Sequence, residues 1–175
     1  SMTFMFAMGL SVTAMIRVGN QKGRQDFISL KRIAYSIFLL IFIFDIVFCL
    51  FFLLTSDYLP WIYLNDNNLL QIKDVQEVVT IASSLLIASA FFQISDGLQA
   101  VVLGALRGLQ DVNIPAFITF FSYGIFGIPV SFYLGIKTDL GAIGIWIGLL
   151  SGLTASAVLL FWRFQHLTKK LILNS

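Results

Sequence analysis

From Ile33 to Leu54 the chain runs through 22 residues with one charge, Asp45, and this is the most apolar of five long apolar stretches. The others are Met2–Ile16, about Val78–Leu106, about Ile114–Ile136 and Ala142–Phe164. Roughly 20 apolar residues are what a helix needs to cross the hydrocarbon of a bilayer. None of the five shows the alternation of a barrel strand. Helices follow, because lipid offers no partner to an unpaired backbone N–H or C=O. The composition agrees: 58% of the 175 residues are hydrophobic and 11% are charged, against about 25% charged in soluble domains. Disorder, a nucleic-acid-binding arm and an ordinary soluble enzyme are excluded. The fold class is an all-α integral membrane protein with five transmembrane segments, 2–16, 33–54, 78–106, 114–136 and 142–164.

The first segment is short for a span, and no basic leader or small-residue cleavage site precedes it. The expectation is a chain that begins inside a helix and forms the C-terminal part of a larger polypeptide, whose N-terminal lobe is its partner. Cys49 is the single cysteine, so no intrachain disulfide can form.

Of the 11 basic residues, nine lie in alternate connections: Arg17, Lys22, Arg24, Lys31, Arg32, Arg107, Arg163, Lys169 and Lys170. By the positive-inside rule that side is cytoplasmic, and the C-terminus with it. The opposite loop carries Asp57, Asp66, Asp74 and Pro60-Trp61 and is expected to face outward.

Two acids fall inside spans. A carboxylate at mid-bilayer costs about 2.5–3.5 kcal/mol on insertion scales, so it faces a cavity or a partner. Asp96 shares a helix face with Ser89 and Gln93, and Gln99 extends that polar stripe. Such a group can exchange H⁺ or Na⁺; the competing reading is a carboxyl that only ties neighbouring helices together. Asp45 has no polar neighbour on its own helix face, Ile41 and Cys49 being four residues away on either side, and is the weaker cation candidate.

Gly144, Gly148, Gly152 and Ser156 recur every four residues and form a ribbon for close helix approach. Pro129 removes a backbone donor, which places a kink, and a candidate hinge, near Ile125. The 26 aromatic residues, 18 of them Phe, fill interfaces or face lipid, and none is singled out as a cation–π partner. His166, in the polar tail, reads as a solvated surface histidine. No Walker A pattern, no His/Cys metal spacing and no nucleophile motif occurs, so neither ATP-driven transport nor catalysis is indicated, and no organic cofactor is expected.

Two stretches resemble the multidrug and toxic compound extrusion (MATE) family, in its bacterial NorM-like branch. Gly9-Leu10-Ser11-Val12-Thr13 with Ile16-Arg17-Val18-Gly19-Asn20 and Gly23 is similar to the end of the family's eighth helix. Phe92-Gln93-Ile94-Ser95-Asp96-Gly97-Leu98-Gln99-Ala100-Val101, leading to Gly104-Ala105-Leu106-Arg107-Gly108, Asp111 and Pro115, is similar to its tenth helix and following loop. The resemblance covers essentially the whole chain, as helices eight to twelve of a twelve-helix, two-lobe fold.

It implies a multi-pass protein of the bacterial inner membrane that exports organic cations or drugs in exchange for Na⁺ or H⁺. Asp96 matches the family's cation-coupling aspartate, with Gln93 and Ser89 beside it as possible ligands of a Na⁺ ion; Asp45 matches no family motif. Arg17, Gly19, Gly23, Gly104, Arg107, Gly108 and Asp111 read as structural supports of the cytoplasmic face, with Arg107 and Asp111 placed to pair at i,i+4. The alternatives are a lipid-linked oligosaccharide flippase of related fold and a non-transporting membrane scaffold.

Overall fold

The computed structural model describes residues 2–55, 72–138 and 141–173. Five rods are present. They are α1 (Met2–Gly23), α2 (Phe27–Thr55), α3 (Ile72–Gly108), a broken rod of α4 (Asn113–Phe121) and α5 (Ile128–Ile136) joined by a π turn (Ser122–Gly127), and α6 (Gly141–Leu173). Among the described residues no strand occurs. Four stretches are long and apolar enough to cross a membrane: Phe27–Thr55, Ala82–Gly108, Asn113–Ile136 and Gly141–Leu173. The outward loop with Asp57, Asp66 and Pro60-Trp61 lies outside the described residues.

The helices outrun the apolar stretches at nearly every end. The first is not confined to residues 2–16: α1 continues past Arg17 to Gly23, 22 residues in all, or about 33 Å at 1.5 Å per residue. Its polar last turns are held because they pack on the end of α3. Lys22 Nζ donates to Leu109 O at 2.7 Å and to Gln110 Oε1 at 3.0 Å.

α1 and α3 stop with the same device. Gln25 and Gln110 each adopt a left-handed backbone, φ 60° and 61°. Around the first, Asp26 N–H donates to Gln21 O at 3.2 Å and Gln25 N–H to Lys22 O at 3.1 Å; around the second, Asp111 N–H donates to Leu106 O at 3.0 Å and Gln110 N–H to Arg107 O at 2.9 Å. This is the paired bonding of a Schellman termination. The left-handed residue is therefore a glutamine in both, and not Gly23 or Gly108. The aspartate that follows each does different work. Asp26 Oδ1 accepts the Ser29 N–H at 3.0 Å and caps α2. The bonds from Ser29 hold the Asp26 carboxyl below the ordinary carboxylate range.

Close packing rests on small residues. Ala7, Ser11, Ala14 and Val18 form the buried face of α1 and lie on α3 at Gly104 and Gly108. Ser11 Oγ donates to Ala100 O at 2.7 Å. The glycine ribbon of α6 does what its spacing predicts: Gly144 faces Leu134 O, Gly148 faces Ser131 N, and Gly152 faces Gly127. Between α2 and α6 the rings of Phe38, Phe161 and Phe164 meet edge-on, with centroids 5.2 to 5.9 Å apart.

The expected kink near Ile125 takes the form of the π turn. Pro129 has no N–H to donate to Ile125, and its ring crowds that carbonyl. The helix widens instead, so that Ile128 N–H donates to Tyr123 O, five residues back. This register turns both Ser122 and Gly127 inward, onto Gly152.

A methyl group at Gly104 would strike the backbone oxygen of Ser11, whereas one at Gly9 meets nothing within 4 Å. Gly104→Ala is expected to destabilise the protein by about 1–3 kcal/mol, and Gly9→Ala to be neutral or stabilising. Thermal unfolding of the two variants in detergent checks both.

Candidate functional site

α3 carries the polar line into the bundle, and each neighbouring helix meets it at a different residue. Ser95 Oγ lies 3.0 Å from Thr154 Oγ1 of α6. The Tyr123 hydroxyl, from the π turn, donates to Gln99 Oε1 at 3.2 Å. Gln93 and Asp96 lie within electrostatic reach of Asp45 on α2, and Tyr123 lies within reach of Asp96 on another side. Asp96 itself is half-buried and makes no hydrogen bond among the described residues.

Asp45 is the larger departure from the sequence reading. It lacks polar neighbours along α2, but α3 supplies them across the interface. Its side chain is 3% exposed and projects at Gly97, where a Cβ would collide with the carboxylate. The missing side chain of Gly97 is thus the space that Asp45 occupies. Asp45 Oδ2 and Gln93 Nε2 are both buried without a hydrogen-bond partner. The Gln93 amide nevertheless lies beside the Asp45 carboxyl, and Ser122 Oγ and Ser156 Oγ are likewise buried without a partner among the described residues.

Of the three cation-coupling candidates, Gln93 and Asp96 come together and Asp45 joins them. Ser89, half-buried further along α3, makes no hydrogen bond to either among the described residues. Tyr123 and Gly97 were not legible as site residues. The aromatic is brought in by the π turn, and the glycine is significant only because of what sits opposite it.

At the other end of α1 and α3, part of the glycine–arginine motif packs, part is exposed, and one partner is changed. Gly108 packs on Met15 O and Gly19 N. Gly23 meets nothing within 4 Å. Arg17 and Arg107 are exposed. Asp111 does not pair with Arg107 four residues before it, because the helix has already terminated and the chain has turned away. It accepts instead from Arg163 Nε of α6, at 2.9 Å.

Comparison with known proteins bears on the whole arrangement. The family model described as MatE matches residues 1–133. The chain belongs to the MATE family. A probable multidrug resistance protein NorM of Rhodopseudomonas palustris is 40% identical over 166 residues, which are 95% of this chain and 34% of that protein. A second of the same description, from Xanthomonas campestris pv. campestris, is 36% identical over 96% of this chain and 35% of that protein. The multidrug resistance protein MdtK of Photorhabdus laumondii is 34% identical over 97% of this chain and 36% of its own length. This chain therefore spans about a third of the length of these relatives.

A solved structure, described as the inward-facing conformation of a multidrug resistance MATE family transporter of the MOP superfamily, superposes with a TM-score of 0.85. It covers 99% of this chain and 38% of that one at 15% identity, a likeness of fold.

Because Asp111 bridges α3 to α6 while Arg107 points to solvent, Asp111→Ala is expected to cost about 1 kcal/mol. Arg107→Ala is expected to change stability little. Chemical denaturation of the detergent-solubilised protein separates the two; equal losses would restore the Arg107–Asp111 pairing.

Proposed function

We propose that this chain is the C-terminal part of a secondary antiporter that exports organic cations or drugs across the bacterial inner membrane in exchange for Na⁺ or H⁺. Asp96 is its coupling carboxylate. The observation that carries the reading is that Asp96, which makes no hydrogen bond among the described residues, lies within electrostatic reach of the buried carboxyl of Asp45, whose Oδ2 has no hydrogen-bond partner there. Two carboxylates in reach of one another in a low-dielectric interior need a counter-charge. A Na⁺ ion or a proton supplies it, with the Gln93 amide beside the pair. Membership of a family whose relatives are named multidrug resistance proteins supports the same reading.

Exchange then follows from differential affinity. The cation favours one arrangement of the bundle and the organic substrate another, so each drives the release of the other across the cycle. The C-terminus and the basic ends of α1, α2, α3 and α6 face the cytoplasm in this reading. The flippase alternative is disfavoured because, among the described residues, Lys and Arg sit toward helix ends and none lies beside Asp45 or Asp96 to meet a pyrophosphate.

Efflux of a fluorescent organic cation from proteoliposomes holding the full-length protein, under an imposed Na⁺ or pH gradient, tests this. Wild type is expected to respond to one gradient and Asp96→Asn to lose that response. An Asp96→Asn variant that transports as wild type does would remove the assignment.

The role of Asp45 has its own readout. Asp45→Asn is expected to melt higher than wild type in ion-free buffer, because a buried unpaired charge is gone. It should also gain less from the coupling ion, since ion binding stabilises in proportion to affinity. A melting temperature and ion response equal to those of wild type would leave Asp45 a packing residue.

A further inference from the structure

The end of the bundle opposite the acids holds a groove that cation coupling does not use. Two adjoining cavities, of about 660 and 640 Å³, open between the first turns of α2 and the last turns of α6, and share Lys31, Tyr35 and Ile172. Each wall is a single helix face. On α2 the lining residues Ile28, Lys31, Tyr35 and Leu39 recur at spacings of three or four, with Arg32 beside Lys31. On α6 Trp162, His166, Lys169 and Leu173 do the same. The floor is rigid, since the Tyr35 ring stacks edge-on against Phe161 at 5.9 Å, beside the buried Phe164.

Charge and depth are ordered along this groove. Lys31, Arg32 and Lys169 line it one turn in from Ile28 and Leu173, with His166 close by, and no carboxylate is among the described lining residues. Asp26, just before α2, is already engaged as the cap of that helix. One turn deeper come Tyr35, with Lys31 Nζ 5.8 Å from its ring centroid, and Trp162. Deeper still is the exposed aliphatic side chain of Leu39, with exposed Ile43 one turn further along α2. Cations, then amphipathic rings, then aliphatic surface is the order that a phospholipid presents in reverse charge: phosphate, glycerol interface, acyl chain.

We propose that this groove binds an anionic phospholipid, its headgroup phosphate among Lys31, Arg32 and Lys169 and an acyl chain along Leu39 and Ile43. A zwitterionic headgroup would bring its own positive charge to three cations. A packing helix would have to bury them.

The test is native mass spectrometry of the full-length protein in detergent with dioleoyl phosphatidylglycerol or dioleoyl phosphatidylcholine added. Phosphatidylglycerol adducts are expected on wild type and on a control with two exposed cations outside the groove neutralised, Arg24→Gln with Lys137→Gln. Lys31→Gln with Lys169→Gln is expected to bind roughly fivefold more weakly for each cation removed. Retention equal to wild type in that pair, equal binding of phosphatidylcholine, or displacement of the lipid by millimolar inorganic phosphate would each overturn the proposal. Should the double variant fail to fold, brominated lipids read the site in the wild type. The quenching lost in Trp162→Phe should be greater with brominated phosphatidylglycerol than with brominated phosphatidylcholine, and equal quenching overturns the assignment. No transport step enters these measurements, so they stand or fall apart from the antiport reading.

Discussion

The approach of neighbouring helices to α3 is the contact on which the rest of this bundle depends. Lipid gives no hydrophobic drive to pack one apolar helix on another, so association rests on close van der Waals contact and on interhelical hydrogen bonds. Gly104 and Gly108 let the backbone of α1 lie directly on α3, with Ser11 donating across the seam to Ala100 O. The same helix two to three turns away gives up a side chain at Gly97, and there the space takes a carboxylate from α2. One helix thus uses the same residue type for two purposes. Where the facing group is backbone, the glycine brings helices together; where it is Asp45, the glycine makes room for charge.

That second use explains how a bundle so apolar tolerates two acids. Asp45 is buried beside Gln93 and within reach of Asp96, and the set is left incompletely bonded. A structural polar cluster would close its hydrogen bonds, as Ser95 with Thr154 and Tyr123 with Gln99 do nearby.

The π turn belongs to the same logic. Pro129 forces a break in the helix, and the wider turn repeats at five residues, which points Ser122 and Gly127 together at α6 while Tyr123 reaches α3. At the basic end polar ties add to the Gly19–Gly108 contact: Lys22 ties α1 to the end of α3, and Arg163 ties α6 to Asp111. The groove between α2 and α6 lies beside these ties and keeps its own cations free of carboxylates among the described lining residues.

Read alone, the sequence determined the class, the five rods, the glycine ribbon of α6 and the break before Pro129. These follow from hydropathy and from spacing along one chain, which a bilayer reads directly. It did not determine partners. Asp45 looked isolated because its polar neighbours are on α3. Asp111 was paired with the arginine four residues away because helical spacing was carried past the point where a left-handed Gln110 ends the helix. Gly97 was one glycine among 13 until the carboxylate opposite it appeared. Periodicity fixes which face of a helix a residue occupies, but the residue it meets there is set by how deeply and at what register two helices approach. Only the tertiary structure decides that.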